Sequence, residues 1–435
     1  MAHHVKKIQV GLLGLGTVGT GVAKTLLERS RWLRERAGVE IVLKRIATRH
    51  PQRVRPVRLR PGLVTTDARA VLEDPEIQVV IELIGGLHPA KELVLRAVRA
   101  KKHVVTANKA LLAHAGAEIF RAAARAGVDV YFEASVAGGI PIIKALREGL
   151  VANELQALYG IINGTSNFIL SEMAREGCSF DAALKEAQAR GYAERNPSLD
   201  LKGIDTAHKL SILTLLGFGR TIQPEAMFVE GIPGITQNDL RYAQDLGYAI
   251  KLLAIAKREG NTLDVRVHPT LLPRQHPLAR VSGVFNAIYV KGDLVGEQLF
   301  YGQGAGRWPT TSAVLADVID VARNIAGGAP RRVPALVPGS PIRRIRRIGE
   351  LEGRYYFRFS CIDRPGVLAK ISRILGRHRI SIASVIQPDR RRDQIVPLII
   401  VTHEARERDV QASLQLIDRL SVVRRRTVAI RIERG

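Results

Sequence analysis

The spacing of apolar and polar positions divides the chain into strand-like and helix-like segments. Residues 7–13, KIQVGLL, read as a buried strand, and Gly14-Leu15-Gly16-Thr17-Val18-Gly19 follows at once. A helical spacing then runs to about Glu35. Further strands are expected over 40–48, over 77–84 ending in Gly85-Gly86, over 103–107 and over 128–133, with helices over 89–100 and 110–126 between them. Strands alternating with helices of this length predict a parallel α/β sheet.

From about Leu155 the pattern changes. A strand over 155–162 leads into Asn163-Gly164-Thr165-Ser166-Asn167, then helices over 167–175 and 180–190 and a further helix reaching about Leu216. Strand-like runs at 263–267, 284–290 and 294–301 predict an open mixed sheet carrying helices. Gly302-Gln303-Gly304-Ala305-Gly306 precedes a helix beginning near Pro309. Residues 327–350 are rich in Pro, Gly and Arg and read as a linker. Beyond it the order is strand 355–361, helix 366–377, strands 381–387 and 394–402, helix 405–420 and strand 424–434, a ferredoxin-like β-α-β-β-α-β unit. Arg390-Arg391-Arg392 falls in its hairpin turn and reads as a solvated tip. The expected fold class is α/β: a Rossmann-type nucleotide-binding domain over 1–148 completed by about 305–326, an α+β domain over 149–304 with an open mixed sheet, the linker, and a ferredoxin-like domain over 351–435.

Composition narrows the class. A chain of 435 residues with 46% hydrophobic positions has ample core and exceeds what one core organises. There is no run of eighteen apolar residues and no apolar leader, so a cytoplasmic protein without membrane association is expected. Cys178 and Cys361 stand far apart without partner motifs and read as reduced structural thiols. The net charge of +25 raises the question of nucleic acid. The basic residues are mostly Arg spread over many segments, aromatic residues make up 5%, and no nucleic-acid-binding motif is present. Anionic small ligands fit better, and no nucleic-acid partner is expected.

Within this frame several residues carry chemistry. Gly14, Gly16 and Gly19 form G-x-G-x-x-G between a strand and a helix, where a dinucleotide pyrophosphate meets a helix N-terminus. The second strand ends in Ala47-Thr48-Arg49-His50, with Arg53 and Arg55 near and no acid to hold a ribose diol. Arg49 can take a 2′-phosphate, which favours NADP over NAD; the other reading is a solvated basic loop. Asn108-Lys109 lies at a strand's carboxyl end, where open α/β sheets bind ligands, although an exposed strand-end lysine is the plain alternative. Glu133 with the Gly-rich bend 134–141 either holds a hard cation through oxygens or is a hinge into the next domain. The stretch 191–209, GYAERNPSLDLKGIDTAHK, gathers Glu194, Asp200, Asp205, His208 and Lys209. Asp205 and Lys209 are one helical turn apart, in register with Ile212 and Leu216. They form either a partly buried functional pair or an ordinary ion pair.

The sequence resembles the homoserine dehydrogenases that carry a C-terminal ACT domain, over essentially its whole length. The motifs are GLGTVG at 14–19, TANKALL at 106–112, EASVAGGIP at 133–141, NGTSNFIL at 163–170, the 191–209 stretch, GQGAGRWPT at 302–310, and the ACT-like DRPGVLAKIS at 363–372. Where similar proteins usually have an acid in the E-x-D-P part of the 191–209 loop, this chain has Asn196. The resemblance implies reversible NAD(P)-dependent interconversion of L-homoserine and L-aspartate 4-semialdehyde, leading to threonine, methionine and isoleucine. It implies Lys209 as proton donor with Lys109 as second candidate, and Asp205 orienting Lys209. Substrate contacts would come from Glu194, Asp205 and Asp200. It implies cofactor contacts from Gly14, Leu15, Gly16, Thr17, Val18, Gly19, Arg49, Ile84, Lys109, Gly191, Gly304 and Gly306. A monovalent cation such as Na+ would sit on the Glu133 side chain and the carbonyls of Val136, Gly138 and Ile140. A homodimer or higher homo-oligomer is expected, with an amino-acid effector, threonine, at Asp363-Arg364-Pro365-Gly366. Two rivals remain at this stage: another ACT-tailed dehydrogenase, which would need an Arg/Glu/His set, and a non-catalytic amino-acid sensor, which would not turn over cofactor.

Overall fold

The computed structural model describes residues 5–334, 341–387 and 393–433. In chain order the elements begin with β1 (Lys7–Leu13), α1 (Thr17–Glu28), α2 (Ser30–Ala37), β2 (Glu40–Ala47), β3 (Val64–Thr65), α3 (Arg69–Leu72), β4 (Ile77–Glu82), α4 (Ala90–Arg99), β5 (His103–Thr106), α5 (Lys109–Ala126), β6 (Val130–Tyr131) and the short turn α6 (Ile142–Lys144). They continue with β7 (Leu155–Ile161), α7 (Gly164–Glu176), α8 (Phe180–Ala189), α9 (Ser198–Leu201), α10 (Ile204–Phe218), β8 (Phe228–Val229), α11 (Gln237–Asp245), β9 (Tyr248–Glu259), β10 (Thr262–Pro273), β11 (Phe285–Gly292), β12 (Gly296–Gln303) and α12 (Arg307–Ala326). The last are β13 (Arg344–Ile345), β14 (Glu352–Ile362), α13 (Val367–Arg377), β15 (Ile382–Ile386), β16 (Ile395–Thr402), β17 (Ala405–Arg406), α14 (Glu407–Ile417) and β18 (Val423–Ile432). The chain divides into two compact units: Met1–Gln156 with His208–Ala226 and Asn286–Pro341, and Ala157–Ala207 with Met227–Phe285 and Ile342–Gly435.

The first unit is built on a six-stranded sheet in the order β3-β2-β1-β4-β5-β6, parallel throughout. Val10, Leu12, Val79, Ile81 and Val105 are fully buried, as strands of a parallel sheet covered by helices must be. α12 packs into this unit: Val314, Val318 and Val321 share its core with Val22 and Ala23 of α1. At Gly21 a Cβ would lie 2.4 Å from Thr311 Oγ1, so the two helices touch backbone to side chain. Two expectations are corrected. The long first helix is broken at Arg29 into α1 and α2. The strand expected over 128–133 shrinks to β6, and Glu133 lies on a 3-10 turn over Glu133–Ser135. The segment His208–Ala226 also belongs to this unit, with the His114 and His208 rings 5.2 Å apart and His114 Nε2 3.0 Å from Glu225.

In the second unit one sheet runs β7-β9-β10-β18-β14-β16-β15. Its spine is the hairpin β9–β10, two strands of twelve residues each, turned at Gly260, where φ is +58°. The other edge of β10 is tiled by three parallel strands in succession, each over two residue pairs. Thr262 and Leu263 pair with β13, Arg266 and Val267 with β8, and Thr270 and Leu271 with Arg431 and Ile432 of β18. Part of the expected linker is therefore a strand, β13, and the C-terminal module shares one sheet and one compact unit with the middle of the chain. That module has the anticipated β-α-β-β-α-β order. Alternation along β14 assigns its two faces: Tyr355, Phe357, Phe359 and Cys361 join the core with Ile371 of α13 and Val410 of α14, while Tyr356 and Arg358 reach Asp239 of α11 at 3.1 and 2.6 Å. The reading of Arg390 to Arg392 as a solvated tip lies outside the described residues.

Candidate active site

The nucleotide loop follows from steric need at two of its glycines, Gly14 and Gly19. Gly14 has φ +98°, and a Cβ there would lie 2.5 Å from the Leu83 carbonyl oxygen. A Cβ at Gly19 would lie 2.2 Å from the Gly14 carbonyl oxygen, so α1 can approach β1 only as glycine. Gly16 faces open space and caps α1 without a side-chain hydrogen bond. The amides of Thr17 and Val18 in the first turn of α1 are left for an anion, and a pyrophosphate fits that role. Leu15, between these glycines, is engaged by a residue given no separate role above: Arg55 donates from Nε to the Leu15 carbonyl at 3.0 Å and from Nη2 to His50 at 2.7 Å. It ties the glycine loop to the basic loop, and burial together with Arg53 lowers its pKa. Arg49 is exposed beside it.

At the carboxyl ends of β4 and β5, fully buried Glu82 accepts from the Ile84 amide at 2.8 Å and the Gly85 amide at 3.2 Å, and from the Thr106 hydroxyl. Thr106 accepts from the Asn108 amide at 3.0 Å, and Asn108 donates to the Gly86 carbonyl at 2.6 Å while capping α5 through Leu111. This chain of bonds fixes Lys109, half-buried, as the first residue of α5.

The Glu133 loop is held from both sides. The carboxylate accepts from the Ile143 and Lys144 amides at 2.8 Å each, and the Glu133 amide donates to Asp317 at 2.7 Å. Burial pushes Glu133 up to about 7, with those two amides opposing. Burial, then the charge of Glu133, pushes Asp317 well above the ordinary carboxylate range. Ala137 and Gly138 both have φ near +54°, and a Cβ on Gly138 would lie 2.5 Å from the Gly304 carbonyl oxygen. The Gly139 amide donates to Gln303 at 3.1 Å, so the Gly302–Gly306 run backs directly onto this bend. Gly306, with φ +118°, opens α12. The Ile140 carbonyl accepts from Ile142, whereas among the described residues no hydrogen bond reaches the carbonyls of Val136 or Gly138. Such oxygens suit a hard cation, and the loop fits one.

In the second unit the 191–205 segment folds over the start of α7. Asn163 caps that helix through the Ser166 amide at 2.8 Å, and its Nδ2 donates to Asp200 Oδ1 at 2.7 Å and Asp205 Oδ2 at 3.0 Å. Ser166 donates to the Asp200 carbonyl and Thr165 to the Tyr192 carbonyl. The motif containing Asn163, Thr165 and Ser166 was legible; their roles were not, because a capping Asn looks the same whether or not its amide group is used elsewhere. Gly191 has φ +74° and open space around it, Glu194 is exposed, and Asn196 accepts from the Ser198 amide at 3.3 Å. α10 carries Asp205 and Lys209 one turn apart, 5% and 8% exposed. Behind α9, the Ile232 amide donates to Leu201 at 2.9 Å, and a Cβ at Gly231 would lie 2.1 Å from the Leu201 carbonyl oxygen. Glu230, next in line, receives Arg431 of β18 at 2.9 Å, whose guanidinium also holds buried Glu407 at 2.8 Å.

A C-terminal cavity of about 440 Å³ is lined by Asp363, Arg364, Pro365, Gly366 and Gln387. Gly366, with φ +82°, opens α13.

Comparison with known proteins agrees with this architecture. The homoserine dehydrogenase NAD-binding domain family matches residues 14–133, the homoserine dehydrogenase family 141–319, and the ACT domain family 355–421. A homoserine dehydrogenase of Pseudomonas aeruginosa is 46% identical over 433 residues, 99% of each chain. A crystal structure of a homoserine dehydrogenase from Thiobacillus denitrificans superposes with a TM-score of 0.89 at 48% identity, covering 99% of both chains. A hyperthermophilic archaeal homoserine dehydrogenase in complex with NADPH matches at a TM-score of 0.61 and 26% identity, over 72% of this chain and 97% of its own. The two rival readings are not favoured. With its NAD-binding sheet, its mixed catalytic sheet and its ACT module, the chain belongs to the homoserine dehydrogenase family, NAD(P)-dependent oxidoreductases acting on the CH–OH group of homoserine.

Proposed function

We propose that this enzyme works chiefly as an NADP(H)-linked reductase of L-aspartate 4-semialdehyde, supplying L-homoserine toward threonine, methionine and isoleucine. The observation that carries the catalytic reading is the clamp of Asp200 and Asp205 on one amide, Asn163, with Lys209 on the next turn of the same helix. When bound, the nicotinamide supplies a hydride to C4 of the aldehyde. Lys209 delivers the proton to the oxygen that becomes the hydroxyl, and its charge stabilises the alkoxide as it forms. Lys109 is the second candidate for that role. Asp205 orients Lys209, while Glu194 and Asp200 take the substrate's amino group. Gly14 to Gly19, Ile84, Gly304 and Gly306 are assigned contacts to the cofactor, as is Gly191, and Arg49 takes a 2′-phosphate. The NADPH complex of the archaeal relative supports this preference. Na+ or a similar monovalent cation is assigned to the Val136, Gly138 and Ile140 carbonyls, with Glu133 shaping the loop.

The ACT module is assigned threonine, its carboxylate at the start of α13 beside Asp363-Arg364-Pro365-Gly366, and the enzyme is assigned a homo-oligomeric state, readable by light scattering. The route from module to substrate is Arg431 to Glu230, then Gly231 and Ile232 to Leu201, next to Asp200. The primary test is cofactor absorbance with L-homoserine. Turnover with NADP+ exceeding that with NAD+ is expected; no turnover with either overturns the proposal.

A further inference from the structure

The catalytic half contains a cavity of about 560 Å³ against α7, α11 and the start of β9, apart from the Asn163 clamp. Its lining includes Arg175, Lys251, Arg274 and Arg280, with Ser171 and Tyr248, and contains no Asp or Glu. Arg175 is neutralised by Glu172 and Glu176. The other three are not. Arg274 and Arg280 are exposed, with no ion pair among the described residues. Lys251 is 6% exposed, and its ammonium donates to the Val281 carbonyl and, at 3.4 Å, to Asn167 Oδ1. Both acceptors are neutral. Burial pulls Lys251 down to about 8, with no carboxylate to oppose it, which still leaves the protonated form in excess at pH 7.

A basic composition explains arginines on the surface. It does not explain an ammonium buried without a counter-charge, since desolvating a lone charge is costly. Around Lys251 the backbone is tied down: its partner Asn167 donates from Nδ2 to Gly283 at 2.9 Å and Phe285 at 3.2 Å, and Ser171, in the cavity lining, accepts from the Gly283 amide at 3.1 Å. A lining that holds a buried lysine and two arginines with no ion pair among the described residues offers the donors that phosphate or paired carboxylate oxygens take.

We propose that this pocket is a binding site for a small dianion, a phosphate group or a dicarboxylate, seated between Lys251 and the Arg274 and Arg280 forks. The site is separate from the homoserine chemistry and does not depend on the roles given to Asp205 or Lys209.

The test is calorimetric titration of the full chain at fixed ionic strength, with saturating NADP+ blocking the nucleotide loop. Inorganic phosphate and succinate are the two probes, with chloride as the monovalent control. Saturable binding of one dianion and none of chloride is expected. Phosphate alone assigns the site to phosphate groups, and succinate alone to dicarboxylates. Arg274→Gln with Arg280→Gln, a surface change that leaves the fold intact, is expected to weaken binding at least tenfold, and Lys251→Met to abolish it. No saturable binding of either probe overturns the proposal, as does binding of equal strength in both variants.

Discussion

Asn163 Nδ2 lies 3.0 Å from Asp205 Oδ2 while the same group donates to Asp200, so a single amide sets the spacing of two carboxylates. Asn163→Ala removes that clamp and the cap of α7. The expected outcome is a loss of about 1 kcal/mol in stability from the cap and a fall in kcat/KM of roughly 10- to 100-fold, as when a partner that positions reacting groups is lost. Asn163→Ser keeps a cap and loses the clamp, so its stability should stay near wild type while kcat/KM falls. Urea unfolding and steady-state kinetics on both variants check this; equal activity in all three proteins removes the clamp from the mechanism.

Lys209→Ala should reduce kcat by roughly 10²- to 10⁴-fold, the range for a lost proton donor, with the dissociation constant of NADPH little changed. Single-turnover reduction and fluorescence titration separate the two quantities. If Lys209→Ala retains most of its turnover, Lys109→Ala becomes the informative variant and the role passes to the first residue of α5.

Arg49→Ser should raise the KM for NADP+ by about tenfold or more, as expected for a lost phosphate contact, and leave that for NAD+ within about twofold. Arg55→Ala is expected to weaken both cofactors together, since its guanidinium holds the Leu15 and His50 carbonyls. An NAD+ preference in the wild-type enzyme at matched salt would defeat the cofactor assignment.

His268 titrates in a fully buried site. Burial, then the charges of Arg431 and Arg266, hold its pKa well below the ordinary range. Its Nε2 accepts from Arg266 at 3.0 Å, and Nδ1 donates to the Pro269 carbonyl at 2.9 Å. A base whose folded pKa is depressed gives stability that is present above its unfolded value, about 6.5, and lost as pH falls below it. The slope from this one group approaches about 1.4 kcal/mol per pH unit. Thermal unfolding between pH 7.5 and 5 should therefore show a loss that is smaller in His268→Gln; an identical slope in both proteins would mean other groups govern acid sensitivity.

Truncation at about residue 340 is expected to abolish any threonine response, but not to yield a well-behaved core. It strips β13 and β18 from β10 and leaves two thirds of a long edge open. Light scattering should report association of the truncated chain. Glu230→Gln is the gentler probe: it cuts the Arg431 contact and should shift the threonine concentration for half-inhibition severalfold with kcat unchanged. A monodisperse, fully active truncate would show that the module is separable after all.

The nucleotide-binding half was readable because each glycine has a local reason that spacing alone exposes. The middle of the chain was harder. β9, over Tyr248–Glu259, was not anticipated, because LLAIA at 252–256 is a continuous apolar run with no alternation, and only Gly260-Asn261 marks its hairpin. The motif residues Asp200, Asp205 and Lys209 were found in sequence, whereas the Asn163 bridge joins positions about forty residues apart. β13 was hidden in a Pro- and Arg-rich stretch whose composition signals flexibility. Its pairing comes from β10, which no local pattern near Arg344 discloses.

The tiled edge of β10 also bears on how the protein is made. β8 precedes β10 in the chain and can cover the middle of that edge as soon as β10 leaves the ribosome. β13 follows some seventy residues later, and β18 some hundred and fifty. At ordinary rates of synthesis the far end of β10 waits on the order of ten seconds for its partner. The nascent chain thus passes through a stage in which its catalytic hairpin is complete and its edge is not, a natural point for chaperone engagement and for losses when translation stalls.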